Sequence, residues 1–144
     1  MILPISPNED KKAIRKAILA DPYILSLGFS GAHTYLTNTT DEKLENDKFQ
    51  LFIYNAPSRT NKLNSATLEQ MIQIDISVPL NNASKADLCA SQIIAILDGY
   101  EWENHSEMNV VAPSPAPLAC QSGFYCVGVR FSYYTSTKNV KKTT

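Results

Sequence analysis

The hydrophobic positions between Leu68 and Gly99 change period once. In the segment Leu68–Val78 they fall on every second residue from Ile72 onward. Ile72, Ile74, Ile76 and Val78 share one face, and Gln73, Asp75 and Ser77 share the other. That alternation predicts a strand with one apolar side and one polar side. After a short polar turn the spacing widens to three and four residues. Ala86, Cys89, Ile93, Ile96 and Leu97 then form the stripe of an amphipathic helix. Ser84, with Asp87 three residues on, reads as a capping box at its start, and Asp98-Gly99 as its stop.

The same two periods recur along the chain. A helix is predicted from about Glu9 to Ala20, with Ile14, Ala17 and Ile18 inward and Lys11, Lys12, Arg15 and Lys16 outward. Asn8 is its candidate cap, and Asp21-Pro22 ends it, because the residue before proline avoids helical geometry. A turn at Gly28–Gly31 leads to a short strand around Ala32–Leu36. Phe49–Tyr54 alternates as a strand, with Phe49, Leu51 and Ile53 on one face. Residues 55–67 are expected as a loop, and residues 101–111 as a strand ending in Val110-Val111. "APSPAP" at 112–117 is expected as a stiff connector. The closing strand, about Gly123–Thr135, sets Tyr125, Val127, Val129, Phe131 and Tyr133 against Cys126, Gly128, Arg130, Ser132 and Tyr134.

The order helix, three strands, helix, two strands lacks the regular alternation of a doubly wound parallel sheet. It predicts an α+β fold: a mostly antiparallel sheet of four to five strands with two helices packed on one face. One domain is expected over 1–144, with loose ends at about 1–8 and 136–144. The length suits this, since 144 residues can bury most of their apolar surface. A hydrophobic share of 44% against 19% charged excludes a disordered or fibrous chain. A net charge of −1 gives no general attraction to nucleic acid or anionic lipid. "MILPISPNEDKK" lacks the basic and apolar regions of a signal peptide, and no stretch approaches the roughly 20 apolar residues of a membrane span. No membrane partner is expected, and assembly in a cytosol is. Cys89 falls on the apolar helix stripe. Cys120 and Cys126 could pair, but without an export signal free thiols are expected.

Candidate chemistry is sparse. "GFSGA" at 28–32 resembles a nucleophile elbow, but Ala32 stands where the pattern needs glycine, so Ser30 reads as a turn serine. In "EWENHSE", residues Glu101, Glu103, His105 and Glu107 recur every second position. On one strand they would line one face, and carboxylates with an imidazole could hold a divalent metal. A solvated strand edge that resists pairing accounts for the same pattern. His33 stands alone and reads as structural. Asp75 reads as an ion pair or hydrogen bond to a neighbouring strand, with Arg130 a candidate partner if those strands adjoin. The loop 55–67 carries Arg59 and Lys62 and no acid. It fits a clamp on a neighbouring subunit, the lining of a channel for nucleic acid, or a solvated arm. No cofactor and no enzymatic activity is expected.

The layout resembles the tail terminator, or tail-completion, proteins of long-tailed bacteriophages and prophages. The resemblance rests on "DKKAIRKAILAD", on "SGAHTYL" leading to a strand, and on the paired "FQLFIYN" and "LEQMIQIDISV". It continues through "SKADLCASQIIAILDG" to the closing strand "GFYCVGVRFSYYTS". It spans residues 9–135 and is one of order and pattern. It implies a virion protein at the head–tail interface that forms a ring, commonly of six subunits. Such a ring caps the tail tube, stops its polymerisation, meets the head connector protein and encloses a passage for phage DNA. A ring uses two different, complementary faces of each subunit. Arg59, Lys62, Gln73, Asp75 and Ser77 are the candidate subunit or partner interface; for the polar strand face, solvent is the alternative. The competing readings are a head–tail adaptor or stopper, a small metal enzyme using Glu101, Glu103, His105 and Glu107, and an unrelated binding domain.

Overall fold

The alternating segment that begins near Leu68 becomes the spine of a seven-stranded sheet. The computed structural model describes residues 7–38, 44–56, 62–64, 67–101 and 107–136. In chain order the elements are α1 (Pro7–Leu19), α2 (Pro22–Leu27), β1 (Thr34–Tyr35), β2 (Gln50–Asn55), β3 (Lys62–Asn64), β4 (Thr67–Pro79), α3 (Ala83–Leu97), β5 (Asn109–Val110), β6 (Ala116–Leu118) and β7 (Phe124–Ser136). The sheet runs β1-β2-β4-β7-β5, with β3 beside β4 and β6 beside β7. β4 and β7 pair antiparallel along their whole length, from Thr67 opposite Ser136 to Pro79 opposite Phe124. The β1–β2 pairing is parallel and every other is antiparallel. The α+β expectation holds, with a mixed sheet and more short strands than expected.

All three helices supply the core on one side of the sheet. Ile72, Ile74, Ile76 and Val78 of β4 meet Val127, Val129 and Phe131 of β7 and Leu51 and Ile53 of β2. Ile14 and Ile18 of α1, Ile24 of α2 and Cys89, Ile93 and Leu97 of α3 complete the same buried cluster. Removing such side chains from water is the main stabilising term, about 1.5–3 kcal/mol each. A polar bond crosses this core: the Tyr133 hydroxyl donates to Asp10 Oδ2 at 2.6 Å, both residues being buried. It ties α1 to the far end of β7. No helix among the described residues is long and apolar enough to cross a membrane.

Several boundaries differ from the pattern-based expectation, each for a local reason. α1 begins at Pro7, so Asn8 lies inside the helix and is no cap; proline suits the first helical position because its missing N–H needs no partner there. Asp21-Pro22 ends one helix and starts another, α2, which periodicity alone missed. The Asp21 side chain accepts from Ile24 N at 3.1 Å, and Gly28 closes α2 with φ +112°. α3 begins at Ala83, which places Ser84 in its first turn and undoes the expected capping box. Asp87 instead accepts a 2.8 Å bond from the Tyr125 hydroxyl. In the expected loop 55–67, Lys62–Asn64 folds back as β3 against the start of β4. In the expected strand 101–111, among the described residues only Asn109–Val110 pairs. Met108 N donates to Tyr100 O at 2.8 Å and Gly99 N to Met108 O at 2.7 Å. Tyr100 and Met108 are thus hydrogen-bonded neighbours, and Glu101 and Glu107 do not share one straight strand. The connector 112–117 carries two cis peptide bonds, Ala112–Pro113 and Ser114–Pro115, and its end enters β6.

Candidate functional site: the polar face of the sheet

The side of the sheet away from the helices is built in rungs. Gln50, Ser77 and Cys126 stand side by side, then Phe52, Asp75 and Gly128, then Tyr54, Gln73 and Arg130. This is the polar face of the alternating segment, and it is buried: Gln73 is 6% exposed, Asp75 4% and Ser77 0%. It is therefore not a wet sheet face. Phe52 beneath the Tyr35 ring, 5.4 Å between centroids, seals one side. The strap formed by residues 111–118 lies along the other.

A chain of hydrogen bonds links the middle rungs. The Tyr54 hydroxyl donates to Asp75 Oδ2 at 2.8 Å, Gln73 Nε2 donates to Asp75 Oδ1 at 2.8 Å, and Arg130 Nε donates to Gln73 Oε1 at 2.8 Å. Arg130 and Asp75 belong to adjoining strands, as expected, but Arg130 lies opposite Gln73 and Asp75 opposite Gly128. The Gln73 carboxamide bridges them, accepting from the cation and donating to the anion. A buried carboxylate is costly unless its oxygens are bonded, and here each has a donor. Burial, and then the bond to Asp75, push the Tyr54 hydroxyl well above the ordinary phenol range. Tyr54 thus remains a neutral donor at physiological pH.

Gly128 is what lets the chain form. A methyl at that position would overlap the Gln73 carboxamide and stand 3.0 Å from Leu118 Cδ1 and 3.3 Å from Asp75 Oδ1. One rung further on, Ser77 Oγ is buried and makes no hydrogen bond of ordinary geometry among the described residues. The Cys126 thiol, directly across the ladder, is its polar neighbour. Burial, and then the adjacent Cys120 thiol, push Cys126 up to about 12. The cysteines are free, and a thiol so poorly ionised is a weak nucleophile.

A cavity of about 240 Å³ opens between the strap and this face. Gln73, Gly128 and Arg130 form its floor, and Val111, Pro113 and Leu118 stand among its walls. Ser114 pins the strap: its hydroxyl donates to Val111 O at 2.6 Å and accepts from Arg130 N at 3.0 Å. A second, more open cleft of about 340 Å³ lies by the start of β2, bordered by His33, Asp47, Lys48 and Lys85. His33 is within 3.4 Å of Glu45 there.

Of the remaining sequence candidates, the described Glu101 and Glu107 line neither cavity. Lys62 sits in β3 opposite Leu68. Arg59, Glu103 and His105 lie outside the described residues. Glu101 and Glu107 are exposed. Among the described residues, no three His, Cys, Asp or Glu side chains gather as metal ligands. Tyr54, Gly128 and Ser114 were not singled out by sequence; only Tyr54, on the polar side of its strand, carried any signal.

No family model matches the sequence, and a search of curated proteins finds no match. Solved structures do share the fold. One is a chain from the virion of a native gene transfer agent particle, 10% identical, with a TM-score of 0.64 over 88% of this chain and 93% of that one. A second solved chain is 12% identical, with a TM-score of 0.50 over 86% of this chain and 94% of its own. At these identities the likeness is one of fold.

Proposed function

We propose that this chain is a structural protein of a phage-like virion, acting as a tail terminator. In this reading it forms a ring, with six subunits the expected number, at the head-proximal end of the tail tube. The ring stops tube polymerisation, contacts the head connector and leaves a passage for DNA. The observation that supports the reading is the likeness over nearly the whole chain to a component of a gene transfer agent virion, despite 10% identity. The chemistry of the polar face agrees with it. A neutral phenol, a fully bonded carboxylate and a thiol held up near 12 make a rigid wall and a poor catalytic set. Arg59 and Lys62 are proposed for direct contact with a neighbouring subunit. Gln73 and Asp75, being buried, act by holding Arg130, and Ser77 by filling the wall behind them.

The test is to add the purified chain to polymerising tail tubes of its own phage or prophage. A terminator arrests growth, shortens the tubes and decorates one tube end as a ring in negative-stain images. An adaptor or stopper leaves tube length unchanged and binds the head connector instead. Unaltered tubes with no binding to either structure would reject the virion assembly reading.

A further inference from the structure

We propose that the cavity beneath the 111–118 strap is a binding site for a single carboxylate, held by the guanidinium of Arg130. The inference rests on four features of the site and does not depend on the virion reading. First, Arg130 reaches the cavity floor with only its Nε engaged; among the described residues neither Nη group makes a hydrogen bond or ion pair. A guanidinium has five N–H donors in a planar fork, so this one is left with the pair that accepts a carboxylate side by side. Second, the fork is held in place. Gln73 fixes Nε, Asp75 fixes Gln73, Tyr54 fixes Asp75, and Ser114 holds the Arg130 backbone to the strap. A preoriented fork loses less freedom on binding than a free side chain.

Third, the charge balance selects a monoanion. Asp75, whose two oxygens accept from Tyr54 and Gln73, stands behind Gln73, so the site offers one cation already partly balanced. A phosphate dianion meets that carboxylate with twice the charge, whereas a carboxylate meets it with one. Fourth, size and wall chemistry agree. About 240 Å³ equals the liquid volume of roughly eight waters. Val111, Pro113 and Leu118 are apolar walls suited to a short aliphatic stem below the charged group. A glutamate side chain or a small free carboxylate fits that description; a nucleic-acid phosphodiester, with a sugar on each side of its phosphate, does not.

The experiment follows the arginine Nε and Nη resonances of Arg130 by ¹⁵N NMR in the full chain, together with the backbone amides of Val111 and Ser114. Three probes are titrated: N-acetyl-glutamate N-methylamide, its glutamine counterpart and inorganic phosphate. The expected result is saturable shifts with the glutamate probe, and affinity for the other two at least about tenfold weaker. This comparison uses the unaltered protein. Arg130→Lys keeps the charge and removes the fork, and is expected to weaken the glutamate probe by about tenfold while the amide spectrum stays dispersed. Shifts of equal size with all three probes, or none with the glutamate probe, would overturn the proposal. Sedimentation of both proteins then identifies the source. If Arg130→Lys also weakens self-association, the carboxylate comes from a second copy of the chain. If self-association is unchanged while probe binding falls, the site serves a free carboxylate.

Discussion

Gly128 lies opposite Asp75, and its missing side chain leaves the volume that the Gln73 carboxamide occupies. Gly128→Ala forces a methyl against Gln73 and Leu118, both inside the wall of the cavity. Overpacking of this kind costs about 1–3 kcal/mol. The expected readout is a lower urea midpoint with an unchanged slope; a midpoint equal to the parent's would show that the wall is softer than the geometry implies. The thiols offer a second check at this scale. Burial raises Cys89 to about 12, with Asp21 adding to the effect, and Cys126 is also raised to about 12. Both are buried, whereas Cys120 is partly exposed. A thiol reagent at pH 8 is expected to label one cysteine quickly in the native chain and all three after denaturation. Fast labelling of two or more in the native chain would contradict this. No pattern in the neighbouring sequence marks Gly128, because what fills the space beside it is set across the ladder.

Among the elements, the helix starts separate what capping residues imply from what they do. Asp21 caps α2 through Ile24 N and also accepts from the Gln92 amide of α3, at 3.3 and 3.2 Å to its two oxygens. It therefore joins two helices as well as starting one. Asp21→Ala is expected to cost about 1–2 kcal/mol. Ser84, which a capping-box reading would make equally important, is exposed within the first turn of α3. Ser84→Ala is expected to stay within about 0.5 kcal/mol. Thermal or urea unfolding of the two variants side by side decides this, and equal losses would restore the capping box. The long elements were legible because each repeats one period many times over: β4, β7 and the stripe of α3 came out within a residue or two. The six residues of α2 are too few for periodicity to register. The three residues each of β3 and β6 are strands only because a longer strand lies beside them.

For the molecule as a whole, the buried phenols predict how stability responds to pH. Tyr54 and Tyr133 are both raised, first by burial and then by hydrogen bonds to Asp75 and Asp10. The native state thus holds these protons more tightly than the unfolded chain, whose tyrosines titrate near ~10. Their contribution is complete below that value and is lost as pH rises above it toward the folded values. Cys89 and Cys126 act with the same sign. Urea denaturation between pH 8 and pH 11 is expected to show stability falling steadily above about pH 9 to 10, with a shallower fall in Tyr133→Phe. A flat profile would mean that these hydroxyls are solvated in the native state. The proposed ring would belong to this scale too, since assembly depends on which surfaces remain open after folding.

The amino-acid sequence alone determined the class of each long element and the face on which the residues of the long strands lie. Both follow from backbone periods of two and 3.6, which are local properties of the chain. Only the tertiary structure decided that the polar face of β4 is covered, that Gln73 bridges Arg130 to Asp75, and that Gly128 makes room for it. Those facts depend on register between segments some 57 residues apart, as Gln73 and Arg130 are. A local pattern says which way a side chain points, but the partner it meets is chosen by how the whole chain packs.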